Sequence, residues 1–224
     1  MYKAIQRKIR AAKGEGYMIL CDRMIKECCL NSNAPLLDPF SEDQLQSASY
    51  DVSMSGNIAV LKRIGRAIDP TDKSDLADMY QEIEIGADGY LFSPGEYLLA
   101  ELTEMVRLPS QMAAHIRPRT RFTRAGILVA GQHCNPTYAG KLYIGLHNAG
   151  PNPVLLWPGL KIAQLVFEEL SDEPDMLYAN KKNAAFQNER SFRGARFGEA
   201  GWSEEQKKIY QNILGSFDEK GAQS

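Results

Sequence analysis

Four arginines crowd one short stretch: Arg117, Arg119, Arg121 and Arg124. A guanidinium is always charged and offers bidentate donors, so such a cluster on a turn can grip several phosphate oxygens at once. The alternative is a solvated basic loop. A little further on come Gln132, His133, Cys134, Asn135 and Tyr138. His133 can act as a base near neutral pH, or be an ordinary hairpin histidine beside a packed cysteine. His133, Cys134 and His147 together make a conceivable zinc set, but their spacing matches no common zinc site. Asp51 lies between Tyr50 and Val52. It either caps a turn or orients a ligand or a metal-bound water. The acids between Asp69 and Asp88 read as a solvated surface excursion with room for one helical turn, not as a metal site.

These residues need a scaffold, and the surrounding pattern is β. From Tyr90 onward, short apolar runs alternate with turn signals: YLFSPGEYLLAEL, EMVRLPSQMAAHI, GILVAG, KLYIGLHN, NPVLLW and LKIAQLVFEEL. Short strands at this spacing predict an all-β barrel or sandwich. Before them, Asp22 is placed as the N-cap of a short helix with Met24, Ile25, Cys28 and Cys29 on one face. Residues 31–46 are expected to be loop. Residues 47–60 alternate partially, with Gly56 and Asn57 as a hairpin turn signal. Residues 2–12 can form a basic helix. After Pro174 the pattern weakens, until Ser203 and Gln206 spell a capping box ahead of a stripe of Ile209, Tyr210, Ile213 and Leu214.

Composition narrows the classes. The chain has 224 residues, 44% hydrophobic and 24% charged, enough for a sizeable core. Its net charge of −2 argues against general nucleic-acid binding, so the arginine cluster is local and suits a small anionic ligand. Cysteines 21, 28, 29 and 134 form no CxxC pair, which predicts reduced thiols and a cytoplasmic setting. No 18-residue apolar run and no secretory h-region are seen, so neither secretion nor membrane spanning is expected.

Five segments, in order, resemble the dCTP deaminase and dUTPase superfamily. They are LCDRMI followed by SYDVSMSGN, then FSPGEYLLAELTEMVRLP, PRTRFTRAG, NPTYAGKLYIGLHNAG and PGLKIAQLVFE. The first half is nearer the deaminase branch, whereas the spacing from Gly126 to Tyr138 fits dUTPases; the chain resembles a divergent member of the deaminase branch. The resemblance implies a mainly β distorted barrel over residues 19–175. An N-terminal extension over 1–18 precedes it, and a lid segment and helix over 176–224 follow. It further implies a homotrimer with sites between subunits, and a deoxypyrimidine triphosphate whose Mg²⁺ rides on the phosphates without a dedicated protein site. By position, Arg119, Thr120, Arg121, Arg124 and Gln164 are expected at the phosphates. Gln132 belongs to the base- and sugar-binding segment 131–135, and Tyr138 lies under the deoxyribose. Phe186 or Phe197 is expected to close the site, on a lid that orders over the ligand.

The resemblance also implies chemistry that depends on carboxylates, and two positions depart from it. Gly145 stands where deaminases carry the Glu that acts as general acid and base. Asn135 stands where dUTPases carry the Asp that activates water. An amide cannot accept a proton at neutral pH as a carboxylate can. Asn135 and His133 are the candidates left for catalysis. An enzyme of the hydrolase class is expected, dCTP deaminase-like (dCTP to dUTP and ammonia). The alternatives are a dUTPase-like diphosphohydrolase and a catalytically impaired, nucleotide-binding regulator.

Overall fold

The computed structural model describes residues 18–65, 68, 79–182, 184–195, 203–206, 208–209 and 211–212. Short strands dominate: β1 (Met18–Ile19), β2 (Leu37–Asp38), β3 (Leu45–Gln46), β4 (Ser49–Leu61), β5 (Tyr80–Glu84), β6 (Tyr90–Phe92) and β7 (Tyr97–Arg107). They continue as β8 (Met112–Pro118), β9 (Ile127–Val129), β10 (His133–Cys134), β11 (Ala139–Asn148), β12 (Val154–Leu156) and β13 (Lys161–Glu169). Helix α1 spans Asp22–Leu30, and α2 spans Thr120–Arg124.

One sheet runs in the order β10–β8–β13–β4–β7–β11–β9, every neighbour antiparallel. Its two terminal strands are consecutive in the chain, joined by Ala130, Gly131 and Gln132 alone. The sheet must therefore curl until its ends meet. The Ala130 N–H donates to the Gly145 carbonyl (2.8 Å) at one end, and the Ile116 N–H donates to the Gln132 carbonyl (2.9 Å) at the other. Curling leaves few bare edges, which is how small antiparallel sheets avoid aggregation. This is the distorted barrel that the resemblance implies, one of the two architectures, barrel or sandwich, that the strand pattern leaves open.

Strands β7 and β11 carry the clearest alternation. Leu98, Ala100 and Leu102 on β7 and Leu142, Ile144 and Leu146 on β11 are buried in the core. Fully burying one such Leu or Ile side chain contributes roughly 1.5–3 kcal/mol. The intervening residues point to the opposite face, because side chains alternate along a strand. There Tyr97 pairs with His147, Leu99 with Gly145 and Glu101 with Tyr143.

Several local expectations change. Gly56 and Asn57 do not turn a hairpin: β4 runs through them, and its register against β7 shifts between Met54 and Ile58. The extra residues are accommodated as a bulge, where the Gly56 carbonyl accepts the Ile85 N–H at 2.7 Å. Helix α1 buries Ile25, Cys28 and Cys29 as expected, but Cys21 is its N-cap. Asp22 is the first helical residue, and its carboxylate accepts the Arg23 N–H instead. The loop over 31–46 contains β2 and β3, and β5 arises inside the acidic excursion. Polar residues on these strands hid them, because tertiary pairing outweighs propensity in short edge strands. The arginine stretch is a helical turn rather than an open turn, since Phe122 is buried and anchors α2.

The Ser203 capping box forms: the Ser203 N–H donates to Gln206 Oε1 (2.8 Å), and the Gln206 N–H to Ser203 Oγ (3.2 Å). Ile209 on the following turn is exposed; Tyr210, Ile213, Leu214, residues 2–12 and most of 65–79 lie outside the described residues. Described residues within Met1–Val60 and Glu82–Phe192 form one compact unit, and those within Leu61–Gln81 and Arg193–Ser224 form another. Among the described residues no helix is long and apolar enough to cross a membrane. All four cysteines are free.

Candidate functional site

Strand β13 lies between β4 and β8, with Gln164 opposite Asp51 on one side and Arg117 on the other. Arg119, just past β8, folds back over this row. Its guanidinium meets Asp51 Oδ2 at 3.0 Å and donates to the Lys161 carbonyl at 3.1 Å. Asp51 is 2% exposed, so it neither caps a turn nor stands open to a ligand. Burial pushes its carboxyl up, and the Arg119 charge opposes that shift. Gln164 accepts from Ser49 Oγ (3.0 Å) and donates to the Pro118 carbonyl (3.4 Å). Arg117, Thr120, Arg121 and Arg124 are exposed around this braced arginine. The strands thus gather Asp51, Arg119 and Gln164 at one place and present a cationic face beside them. Such a face can hold phosphate oxygens through charge-assisted hydrogen bonds.

The linking segment and β10 place the next group. Gln132 donates to the Tyr143 carbonyl at 2.9 Å. His133 faces His115 across the strand pair, ring centroids 4.9 Å apart, and His115 lies 3.6 Å from Glu168. Burial first, and the neighbouring His115 second, lower the His133 pKa, which favours its neutral form. Cys134 is buried and its thiol is pushed up to about 12. Among the described residues no three of His, Cys, Asp and Glu converge as metal ligands, so His133, Cys134 and His147 are not brought together. The carbonyl of Asn135 accepts the Tyr138 N–H (3.0 Å) in a tight turn. Tyr138 is 5% exposed, its hydroxyl donating to the Lys141 carbonyl (2.9 Å) and its ring lying 6.1 Å from that of Tyr178.

A strap from the C-terminal part packs on this turn. The Asn188 N–H donates to the Ala139 carbonyl (2.7 Å), and the Lys141 N–H to the Glu189 carbonyl (2.8 Å). The Gln187 side chain bridges the Ala139 N–H (3.3 Å) and the Thr137 carbonyl (3.0 Å). Gly140 permits this approach: at φ 154° it has no Cβ, and one placed there would lie 3.0 Å from the Glu189 nitrogen. Of the two expected closing aromatics, Phe186 is 38% exposed and Phe197 lies outside the described residues. The aromatic that reaches the sheet is Phe192, 5.4 Å from Tyr143.

Gly145 is enclosed. A Cβ there would collide with the Tyr97 hydroxyl and come within 3.0 Å of Tyr97 Cζ and 3.1 Å of Ala130 Cβ. Tyr97 thus fills the space into which a longer residue at 145 would project. Diagonally along the same face lies Glu101, 3% exposed. Its Oε1 accepts from Lys141 Nζ (2.7 Å), Ser55 Oγ (3.0 Å) and Asn57 Nδ2 (3.3 Å), and its Oε2 from the Tyr143 hydroxyl (2.6 Å). Burial alone would raise this carboxyl, but Lys141, Tyr143 and Ser55 outweigh it and hold it below the ordinary range. Glu101 lines a cavity of about 300 Å³ together with Asn57, Glu82, Tyr143, Arg190 and Phe192. Tyr97, Glu101, Lys141 and Tyr143 were not singled out from the sequence. The one available signal was the pair of acids, Glu101 and Glu104, interrupting the apolar run YLLAELTEM.

A family model described as dCTP deaminase-like matches residues 19–170. The dUMP-forming dCTP deaminase of Methanobrevibacter smithii is 32% identical over 170 residues, covering 73% of this chain and 87% of that protein. The dUMP-forming dCTP deaminase of Dictyoglomus thermophilum is 33% identical over 181 residues, covering 77% and 91%. The crystal structure of the Agrobacterium tumefaciens 2′-deoxycytidine 5′-triphosphate deaminase superposes with a TM-score of 0.57 at 19% identity, over 68% of this chain and 48% of that one. The chain thus spans about half the length of that structure, and the likeness fixes the fold. These relatives correct the expected reaction class: they are named as deaminases, not as plain hydrolases.

Proposed function

The chain belongs to the dCTP deaminase-like family, and from that membership we propose that it binds a pyrimidine deoxynucleoside triphosphate, dCTP first, and deaminates it slowly. The binding half is supported by the exposed Arg121 and Arg124 beside the braced Arg119. A Mg²⁺ ion would neutralise part of the triphosphate charge. Asp51 is an unsuitable ligand for it, because Arg119 already holds that carboxylate.

The observation that carries the slow turnover is Tyr97 over Gly145. The deaminating carboxylate expected at 145 is missing, and its space is closed. Losing a general base costs on the order of 10²–10⁴-fold in rate. A homotrimer with sites between subunits is part of the same proposal.

Thermal denaturation with dCTP and Mg²⁺, followed by chromatography of the nucleotides, tests both halves. Stabilisation by dCTP is expected, with product forming about 10²–10⁴-fold more slowly than for a dUMP-forming dCTP deaminase assayed alongside. No stabilisation by dCTP removes the binding half. Turnover at the relative's rate removes the slow one.

A further inference from the structure

Two irregularities in the sheet converge on one carboxylate. Within the β4 register shift between Met54 and Ile58, Ser55 and Asn57 both donate to Glu101. Across the β7–β11 pairing the register shifts between Lys141 and Tyr143, with the extra residues on β7 just after Glu101, and both Lys141 and Tyr143 donate to it from the other side. Bulges re-aim side chains and are frequent beside functional sites. Four donors from the two strands that flank β7 fix one carboxylate at the wall of a cavity of about 300 Å³. A carboxylate has roughly four acceptor positions, about two on each oxygen. Three donors crowd Oε1 while Tyr143 alone occupies Oε2, so Oε2 keeps acceptor capacity.

We propose that Glu101 is the residue that selects the base: its Oε2 accepts an N–H from the exocyclic amine of a cytosine-type base and repels the carbonyl that uracil or thymine presents there. The proposal rests on the nucleotide-binding reading above. Held ionised by its donors, Glu101 can only accept, so it distinguishes an amino group from a carbonyl. Glu82 on the same cavity wall adds negative potential, while Arg190 also lines the cavity and Lys141 is paired with Glu101 Oε1. Tyr143 and Phe192, tilted at 60° to one another with centroids 5.4 Å apart, both line the cavity and give it aromatic surface. A volume near the lower limit for ligand sites suits a base alone. Sugar and phosphates remain outside, for arginines of this chain or a neighbouring copy. The proposal concerns binding selectivity; no bond is made or broken by Glu101.

Titration calorimetry with dCTP, dUTP and the pyrimidin-2-one deoxynucleoside triphosphate (dCTP lacking its amino group) tests this on the unaltered protein and on Glu101→Gln. The unaltered protein should prefer dCTP to both others by about 10- to 100-fold. Glu101→Gln, whose amide can donate to a carbonyl, should shrink the dCTP-to-dUTP ratio towards unity. Equal binding of the three nucleotides by the unaltered protein overturns the selection while leaving the nucleotide-binding reading intact. An unchanged ratio in a folded Glu101→Gln does the same, and would leave Glu101 a structural ion-pair partner. If Glu101→Gln does not fold, the comparison of dCTP with its amino-free analogue still decides. No binding of any of them overturns both readings.

Discussion

Two residues on one sheet face bear most directly on the slow turnover proposed for this chain. Gly145 carries no side chain, and Tyr97 from the adjacent strand occupies the volume above it. Burial pushes the Tyr97 hydroxyl up, so it stays protonated and neutral in its place. Restoring a glutamate at 145 by itself therefore overpacks a closed space. Gly145→Glu is expected to lower unfolding free energy by about 1–3 kcal/mol, read as a lower urea midpoint, without raising deamination. Pairing it with Tyr97→Ala should recover that stability in part and raise the rate of dCTP deamination above that of the parent chain. A single Gly145→Glu variant as stable as the parent would show that Tyr97 moves aside freely. Gly145 stood out in the sequence only through the resemblance, as an expected departure from the deaminase pattern. Tyr97 was not, because only the β7–β11 register puts it diagonal to Gly145.

Among the elements, the strap from Tyr178 to Phe192 was the least legible. The sequence offered only a polar stretch and a likeness to a lid. Its anchors are mostly backbone groups of Thr137, Ala139 and Lys141, which no residue pattern reveals, with the Thr137 hydroxyl accepting the Ala179 N–H. Gln187 holds two of the contacts, to the Ala139 N–H and the Thr137 carbonyl. A typical hydrogen bond contributes a net ~0.5–1.5 kcal/mol. Gln187→Ala should therefore speed amide exchange at Lys141 and Asn188 by roughly one to two orders of magnitude, while amides of β8 and β13 keep their protection. Uniform acceleration across the chain would mean that Gln187 supports the whole barrel rather than the strap. The strands fared better, because period-2 alternation follows directly from the pleat. The Gly56-Asn57 hairpin failed because a bulge and a turn share the same residue signature.

At the scale of the whole molecule, closure of the sheet brings its terminal strands together through Ala130, Gly131 and Gln132. That closure puts the arginines of α2, the linking segment and the Tyr97–Gly145–Glu101 face on one barrel. The homotrimer proposed for this family member has a direct test. Light scattering behind size exclusion should give three times the 25.0 kDa chain. A mass of one chain would remove any site that draws residues from two subunits. It would leave the cavity beside Glu101, which one chain builds by itself.

The sequence by itself determined the β class, the order of the strands from Tyr90 onward, the Ser203 capping box and the arginine cluster. Each of these is written in local spacing, where alternation, turn residues and charge act over a few positions. Tertiary structure alone decided that Arg119 is braced by Asp51, that Tyr97 closes Gly145 and that Glu101 is buried among four donors. Those contacts join residues on different strands, and their register depends on bulges whose positions composition does not specify. The resemblance thus singled out Gly145 as standing where a carboxylate is expected; the fold placed Tyr97 over it and Glu101 nearby.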